Sequence, residues 1–313
     1  MKSIGFIRPT YPDEKRVALF PSDVSTDFKF SKIYIEKGFG LFCGIPDSEY
    51  EASGCIVTDR NSVFAQSDIV FSLKLIQKDD YSKLRNGQIV LGWTHPNGSG
   101  KQFFDTICQD KKLIVIDIDS TAPKIYFGHE SKLIDEIDVG FCSENSYIAG
   151  ICSVFHALVS YGSFVDTQKK VCVLSSGNVA QGSFNALAKM GFSPKMFYRK
   201  TMQSFYETMG DYDIIVNGIE TTGDHIVSCG DAQKLKRGCL IIDAAADAGG
   251  AIEFTSFTSH SSPISKYQHV SFYCVNNSPS LAYRDVSPIL SRIFSKYIFN
   301  LDFCKILEKY IGD

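Results

Sequence analysis

The sharpest chemical signal in this 313-residue sequence lies between Lys169 and Phe192, KKVCVLSSGNVAQGSFNALAKMGF. An apolar run, Val171 to Leu174, leads into Ser175-Ser176-Gly177-Asn178-Val179-Ala180-Gln181-Gly182, then into a segment with Phe184, Leu187 and Ala188 at helical spacing. The spacing copies the dinucleotide fingerprint G-x-G-x-x-G/A, with Ser175 replacing the first glycine, Gly177 as the second and Ala180 at the third. A side chain at Gly177 would collide with a pyrophosphate, and the helix beginning near Val179 would offer that pyrophosphate unpaired N–H groups and a positive dipole end. A purely structural strand, turn and helix is the competing reading. The next apolar run, Lys195 to Tyr198, ends in Arg199-Lys200, where an NAD site usually places an acidic residue for the ribose hydroxyls. A doubly basic tip suits a 2′-phosphate instead. Ser175, Ser176, Gly177, Asn178, Val179, Ala180, Arg199 and Lys200 are therefore expected to bind NADPH/NADP, with a solvated basic loop as the alternative for the last two.

Three further side chains stand at the ends of apolar runs in the first third of the chain. Arg16 follows the first run within Glu14-Lys15-Arg16-Val17-Ala18-Leu19, Lys74 closes Phe71-Ser72-Leu73-Lys74, and His95 closes Gly92-Trp93-Thr94-His95. In a parallel sheet the C-terminal ends of strands face the ligand crevice, so these three would converge there.

The elements that must position them alternate along the chain. Candidate strands are Ile4 to Ile7, Ile33 to Ile35, Ile69 to Leu73, Ile89 to Trp93 and Leu113 to Ile116, with amphipathic helices expected over Asp79 to Arg85 and Lys101 to Asp110. After Asn145 to Val165, which contains no Asp, Glu, Lys or Arg, the pattern restarts at Val171 to Leu174, Met196 to Tyr198, Ile214 to Val216, Leu240 to Ile242 and Val270 to Val275. This predicts an α/β chain of two Rossmann-like domains with parallel sheets, linked by long helices, with the active-site cleft between them. The uncharged segment is expected as a buried helix, because its Ser, Asn, His and Gly residues dilute it too far for a membrane span. Ser287-Pro288 reads as the N-cap and first residue of a long amphipathic helix ending at Gly312. The expected boundaries are a substrate (catalytic) domain over 1–125, completed by the C-terminal helix 287–313, and an NADP-binding domain over 140–284.

Composition narrows the class. With 32 basic against 35 acidic side chains the formal charge is −3, which excludes a surface built to coat nucleic acid; 44% hydrophobic residues and only 10 Pro exclude a disordered chain. No membrane partner is expected. Ten scattered cysteines show no C-x-x-C and no zinc-like Cys/His spacing, so they read as free thiols, and no metal is expected. The opening MKSIGFIRPTYPDEKRVAL lacks an apolar signal region, which predicts the cytoplasm.

On these residues the sequence resembles the alanine dehydrogenase, transhydrogenase and saccharopine dehydrogenase superfamily. The matching stretches are 15–19, 35–40, 45–54, the Lys74 strand, Thr94-His95, Glu144-Asn145, the nucleotide turn and Ile242-Asp243-Ala244-Ala245-Ala246-Asp247-Ala248-Gly249-Gly250. They follow family order over nearly the whole chain. Within the superfamily, the length, the opening segment, the SSGNVAQG turn and the basic tip most resemble short enzymes that use NADPH to condense pyruvate reductively with the side-chain amine of ornithine or lysine. The resemblance implies roles residue by residue. Arg16 would grip the keto-acid carboxylate, Lys74 would bind beside the substrate carbonyl, His95 would exchange the proton, and Asp247 would lie near nicotinamide and substrate. Arg284 and Asn276 are candidates to anchor the amino acid's own carboxylate, with a structural ion pair as the other reading of Arg284. The likeness also implies a homo-oligomer, with a tetramer (homotetramer) as the expectation. Ser175 and the short C-terminal part depart from the family pattern. Alanine dehydrogenase-type amination with ammonia, a saccharopine dehydrogenase-like activity and a nucleotide-binding module without catalysis stay open as alternatives.

Overall fold

The structure is a computed structural model that describes every residue except Asn97, Ser120, Thr121, Thr222 and Asp313. The chain divides into two compact units, Met1–Cys142 with Tyr283–Asp313, and Ser143–Ala282.

The first unit is built on eight strands: β1 (Lys2–Phe6), β2 (Phe30–Glu36), β3 (Ile56–Thr58), β4 (Ile69–Ser72), β5 (Ile89–Gly92), β6 (Ile114–Asp117), β7 (Lys124–Phe127) and β8 (Glu130–Leu133). Their order is β3-β2-β1-β4-β5-β6-β7-β8. β4 and β5 are buried along their whole lengths, as near-continuous apolar runs in a covered parallel sheet should be. Strand order reverses direction between β1 and β4, and that switch point opens the crevice where α/β sheets bind ligands. Helices α1 (Asp47–Ala52), α2 (Arg60–Gln66) and α3 (Lys101–Phe103) lie between strands, α3 running on as a π turn through Cys108. Two expectations change here. β7 and β8 pair antiparallel at the sheet edge rather than continuing the parallel order. The stretch expected as an amphipathic helix over Asp79 to Arg85 is a 3₁₀ turn, Lys78–Lys83, because Arg60 and Lys83 draw the Asp80 carboxylate inward at 2.6 Å and 3.0 Å.

The second unit carries β9 (Val171–Leu174), β10 (Lys195–Phe197), β11 (Ile214–Asn217), β12 (Leu240–Asp243), β13 (Ile264–Tyr267) and β14 (Val270–Tyr273), ordered β10-β9-β11-β12-β14-β13. All neighbours are parallel except the edge strand β13. Its helices are α4 (Ser143–Tyr161), α5 (Asn178–Lys189) and α6 (Met202–Thr208). The uncharged segment forms α4, and its backbone approaches α5 closely: a Cβ at Gly182 would lie 1.9 Å from the Tyr147 carbonyl oxygen, and one at Gly150 would lie 2.0 Å from that of Val179. α4 stops at Tyr161 because Gly162 takes a left-handed φ of 70° and Ser163 N–H bonds back to Leu158 O at 2.9 Å. Among the described residues no helix is long and apolar enough to cross a membrane.

The last segment is not one helix. α7 runs Tyr283–Phe294, a π turn follows over Ser295–Phe299, and α8 runs Phe303–Ile311. Ser287 does not cap α7, because the 3₁₀ turn Ser278–Ala282 winds directly into it. The Ser287 hydroxyl instead donates to Tyr283 O at 2.6 Å and accepts from Val17 N–H at 2.9 Å, leaving Pro288 inside the helix. Asp302 starts α8 by accepting from the N–H groups of Cys304 and Lys305. Asp313, the end of the expected helix, lies outside the described residues. In the first unit Phe294 packs edge-on to Phe71 and Trp93, and Phe299 packs on Phe6 at 5.0 Å, so this segment covers one face of the sheet. All ten cysteines are free thiols; Cys43, Cys142, Cys229 and Cys304 are half-buried and the other six buried.

Candidate active site

The first unit brings Arg16, Lys74 and His95 together: Lys74 and His95 stand just beyond the C-terminal ends of the neighbouring strands β4 and β5, and Arg16 lies on the long segment that leaves β1 across the switch point. The Arg16 segment is held by side chains on three sides. Val17 N–H and Phe20 N–H donate to Ser287 and Ser291 of α7 at 2.9 Å and 2.7 Å, and the Tyr50 hydroxyl donates to Leu19 O at 2.9 Å. Arg16 is buried, and Glu14 fixes its plane by accepting from Nε at 2.8 Å and from a terminal nitrogen at 2.6 Å. Burial alone would raise the Glu14 carboxyl, but the charges of Arg16 and Lys74 and the Arg16 hydrogen bonds hold it below the ordinary carboxylate range.

Trp93 organises the cluster. Its ring carries the Arg16 guanidinium carbon at 5.0 Å and the Lys74 Nζ at 5.4 Å, and Lys74 also lies 5.8 Å from the Tyr11 ring. Two cations on one aromatic ring gain from its quadrupole while remaining mutually repelled, an arrangement that favours an anion between them. Burial lowers the Lys74 ammonium, Arg16 lowers it further, and Asp119 and Glu14 oppose the change. Backbone geometry keeps β4 and β5 close at this point, since Gly92 has a φ of 154° and a Cβ there would lie 1.8 Å from Ser72 O.

His95 sits at a left-handed φ of 46°, with its carbonyl accepting from Gly98 N–H at 3.1 Å and Gly100 N–H at 2.9 Å. Only glycine fits at position 100, where a Cβ would approach Thr94 O to 1.9 Å. The half-exposed imidazole pairs through Nε2 with Asp119. Desolvation would lower His95, but the Asp119 hydrogen bond and charge outweigh it, so the imidazolium persists above its ordinary range. The same partnership, with Lys74 and Arg16, holds Asp119 below the usual carboxylate range against burial. Neighbouring Asp117 accepts from Thr94 N–H at 2.9 Å and Thr94 Oγ1 at 2.7 Å, fixing the residue before His95.

Asp119 and Trp93 join this cluster although neither is among the candidates that the sequence offers. A signal for Asp119 exists in the sequence: β6, the next strand in the sheet, ends at Asp117, and Asp119 follows two residues beyond that end. Asp119→Asn is expected to move the alkaline limb of a kcat/KM profile to lower pH. The carboxylate raises His95, so its loss lets the imidazolium deprotonate earlier. An unmoved limb in a pH–rate titration would remove Asp119 from that role.

The second unit holds the nucleotide-type turn at its own switch point, after β9. Ser175 occupies the first glycine position with a φ of 99°, and the turn closes through Gly177 N–H donating to Ser175 Oγ at 3.0 Å and Ser175 N–H to Phe197 O at 2.7 Å. Ser176 precedes Gly177, which is the N-terminal flank of α5, and Asn178, Val179 and Ala180 form the first turn of that helix. A Cβ built at Gly177 would have only Ser175 Oγ near it, at 3.5 Å, so the space over the helix N-terminus is open to a phosphate group. Ala180 is fully buried against Gly218, where a Cβ would come within 2.9 Å of the Ala180 Cβ. Arg199 and Lys200 are exposed in the turn Tyr198 to Thr201 that follows β10, the neighbour of β9. The turn residues fit the pyrophosphate of a nicotinamide dinucleotide.

Asp247 belongs to this second unit. Its carboxylate accepts from Thr221 N–H at 3.1 Å and packs on Gly250 so closely that a Cβ there would lie 1.9 Å from Oδ2. Asn276 lies after β14, and Arg284 is exposed in the first turn of α7.

The alanine dehydrogenase/PNT N-terminal domain model matches residues 6–125 and the alanine dehydrogenase/PNT C-terminal domain model matches residues 156–310. An N(5)-(carboxyethyl)ornithine synthase of Lactococcus lactis subsp. lactis is 46% identical over 98% of this chain and 97% of its own length. The protein of the same name from Clostridium botulinum is 43% identical over 98% and 96%. A solved L-alanine dehydrogenase superposes with a TM-score of 0.79 at 19% identity, covering 98% of this chain and 92% of the other.

Proposed function

The chain belongs to the alanine dehydrogenase/PNT family, an oxidoreductase family with nicotinamide-binding members, and from that premise we propose that it condenses pyruvate reductively with the side-chain amine of ornithine or lysine. The cofactor is NADPH, the products are N5-(1-carboxyethyl)ornithine or N6-(1-carboxyethyl)lysine, and the enzyme works in the cytoplasm as a homo-oligomer. The relatives at 46% and 43% identity carry the synthase name, and the likeness over nearly their full lengths supports transfer of that activity. The observation that carries the reading is the pair of cations, Arg16 and Lys74, on the Trp93 ring beside the His95–Asp119 pair.

Reductive condensation asks the protein to fix a keto acid, polarise its carbonyl, exchange protons and expel water. Arg16 binds the carboxylate with a planar fork pre-set by Glu14. Lys74 donates to the carbonyl oxygen, and burial makes its proton easier to move than that of an ordinary lysine. His95, whose pKa Asp119 raises, delivers a proton to the departing hydroxyl as the amine nitrogen forms the C=N bond and water leaves. When bound, reduced nicotinamide supplies the hydride that converts this imine to a secondary amine. The turn from Ser175 to Ala180 cradles the pyrophosphate, Arg199 and Lys200 hold the 2′-phosphate, and Asp247 orients the amine. Pyruvate, amine, NADPH and a proton thus become the carboxyethyl amino acid, NADP and water.

The test is NADPH consumption by the purified protein with pyruvate and ornithine, lysine or ammonia in turn. Consumption with ornithine or lysine is expected. Ammonia alone sufficing would favour amination to alanine, and no consumption with any amine would overturn the enzymatic reading.

A further inference from the structure

Two aromatic rings adjoin the Lys74 ammonium, Trp93 at 5.4 Å and Tyr11 at 5.8 Å. Trp93 is buried and carries the Arg16 guanidinium as well, at 5.0 Å. Tyr11 is half-buried, so its ring meets the buried ammonium on one edge and water on another. The backbone holds it there. Glu14 N–H donates to Tyr11 O at 3.2 Å and closes the four-residue turn Tyr11-Pro12-Asp13-Glu14. Proline fixes φ at the second position of the turn and Asp13 takes a left-handed φ of 61° at the third, the pattern of a type II turn. The two ends of this turn serve the two cations of one site. Glu14 fixes the plane of Arg16 by accepting at 2.8 Å and 2.6 Å, and Tyr11 stands beside Lys74.

A keto acid held by both cations has a fixed direction. Its carboxylate lies on Arg16 and its carbonyl oxygen accepts from Lys74 Nζ at hydrogen-bond distance, about 2.7–3.2 Å. The remaining substituent on the carbonyl carbon, a methyl group in pyruvate, then points away from Arg16 and past Lys74. A ring centred 5.8 Å from Nζ comes within van der Waals reach of that methyl group. Trp93 lies against both cations and so meets the part of the acid that every 2-oxo acid shares. Tyr11 stands at the carbonyl cation, where the length of the side chain is felt: each further methylene would have to take space that the ring fills.

We infer that Tyr11 is a specificity-determining residue, its ring closing the keto-acid site beside Lys74 and confining the enzyme to 2-oxo acids with a side chain as small as methyl. This inference rests on the condensation reading above. The experiment compares kcat/KM for pyruvate with that for 2-oxopentanoate, two methylenes longer, using ornithine and NADPH. It is run on the unmodified protein and on Tyr11→Phe, Tyr11→Leu and Tyr11→Ala. Because the readout is a ratio within each preparation, any fraction of inactive protein cancels. The unmodified protein is expected to favour pyruvate, and Tyr11→Ala to lose at least about tenfold of that preference, the scale on which a pocket discriminates by one or two methylenes. Tyr11→Phe keeps the ring and should keep the preference, and Tyr11→Leu should fall between Tyr11→Phe and Tyr11→Ala. An unchanged preference in Tyr11→Ala, including an equal loss with both acids, overturns the wall and leaves the condensation standing. Equal use of the two acids by the unmodified protein does the same. Failure of the unmodified protein to consume NADPH with either acid overturns both.

Discussion

Arg16→Lys is expected to lower kcat/KM for pyruvate by roughly a hundredfold or more, since charge-assisted hydrogen bonds contribute about 1.5–3 kcal/mol each and lysine cannot form the bidentate pair. Lysine is the informative replacement because it retains a charge opposite Glu14. Alanine would leave a buried carboxylate without its partner, and breaking such a pair costs about 3–5 kcal/mol of stability, which would confuse folding with binding. The protein supplies its own control. Trp93 is the single tryptophan and forms the ring under both Arg16 and Lys74, so its emission reports whether the cluster remains assembled and whether pyruvate enters it. The expected outcome is native-like emission and unchanged NADPH binding, with a large rise in the pyruvate concentration needed to perturb Trp93. Unchanged turnover would remove Arg16 from the keto-acid site.

Arg199→Asp is the second large effect, expected to reduce selectivity for NADPH over NADH by roughly a hundredfold through loss of an ion-paired hydrogen bond and gain of a repelling carboxylate. The ribose of NADH carries hydroxyls that an aspartate can accept, so NADH should bind no worse and the ratio should carry the effect. Arg199 and Lys200 are exposed, so added salt should weaken NADPH binding more than NADH binding in the unmodified protein. Separate titrations with the two cofactors provide the measurement. An equal loss with both would show that the basic tip does not read the 2′-phosphate.

The parts of this account that were legible in the sequence are those encoded locally. Val171 to Leu174 is an apolar run followed at once by small residues, and a strand, tight turn and helix follow from that pattern alone. Lys74 and His95 end apolar runs, so a parallel sheet brings them to one edge whatever the details of packing. The rest depends on contacts between residues distant in sequence. Trp93, beneath Arg16 and Lys74, packs on Phe294 from near the end of the chain, and His95 is raised by Asp119 from beyond another strand end. The antiparallel β7–β8 and β13–β14 pairs carry ordinary strand residues, and nothing local distinguishes them from parallel neighbours. Ser287-Pro288 imitated a helix start, but the serine was taken up by Tyr283 and Val17 while the helix began a turn earlier. Ser175 shows the reverse case. The fingerprint asks for glycine there, and the chain keeps glycine-like φ with a serine whose hydroxyl closes the turn.

The central claim is the transfer of pyruvate carbon to a side-chain nitrogen, and identification of the product by mass spectrometry tests it most directly. Incubation of the protein with pyruvate, NADPH and ornithine labelled at its side-chain nitrogen should yield a carboxyethyl amino acid that retains the label in a new secondary amine, formed in step with NADPH consumption. Alanine formed from ammonia, or unchanged ornithine with NADPH consumed, would contradict the account.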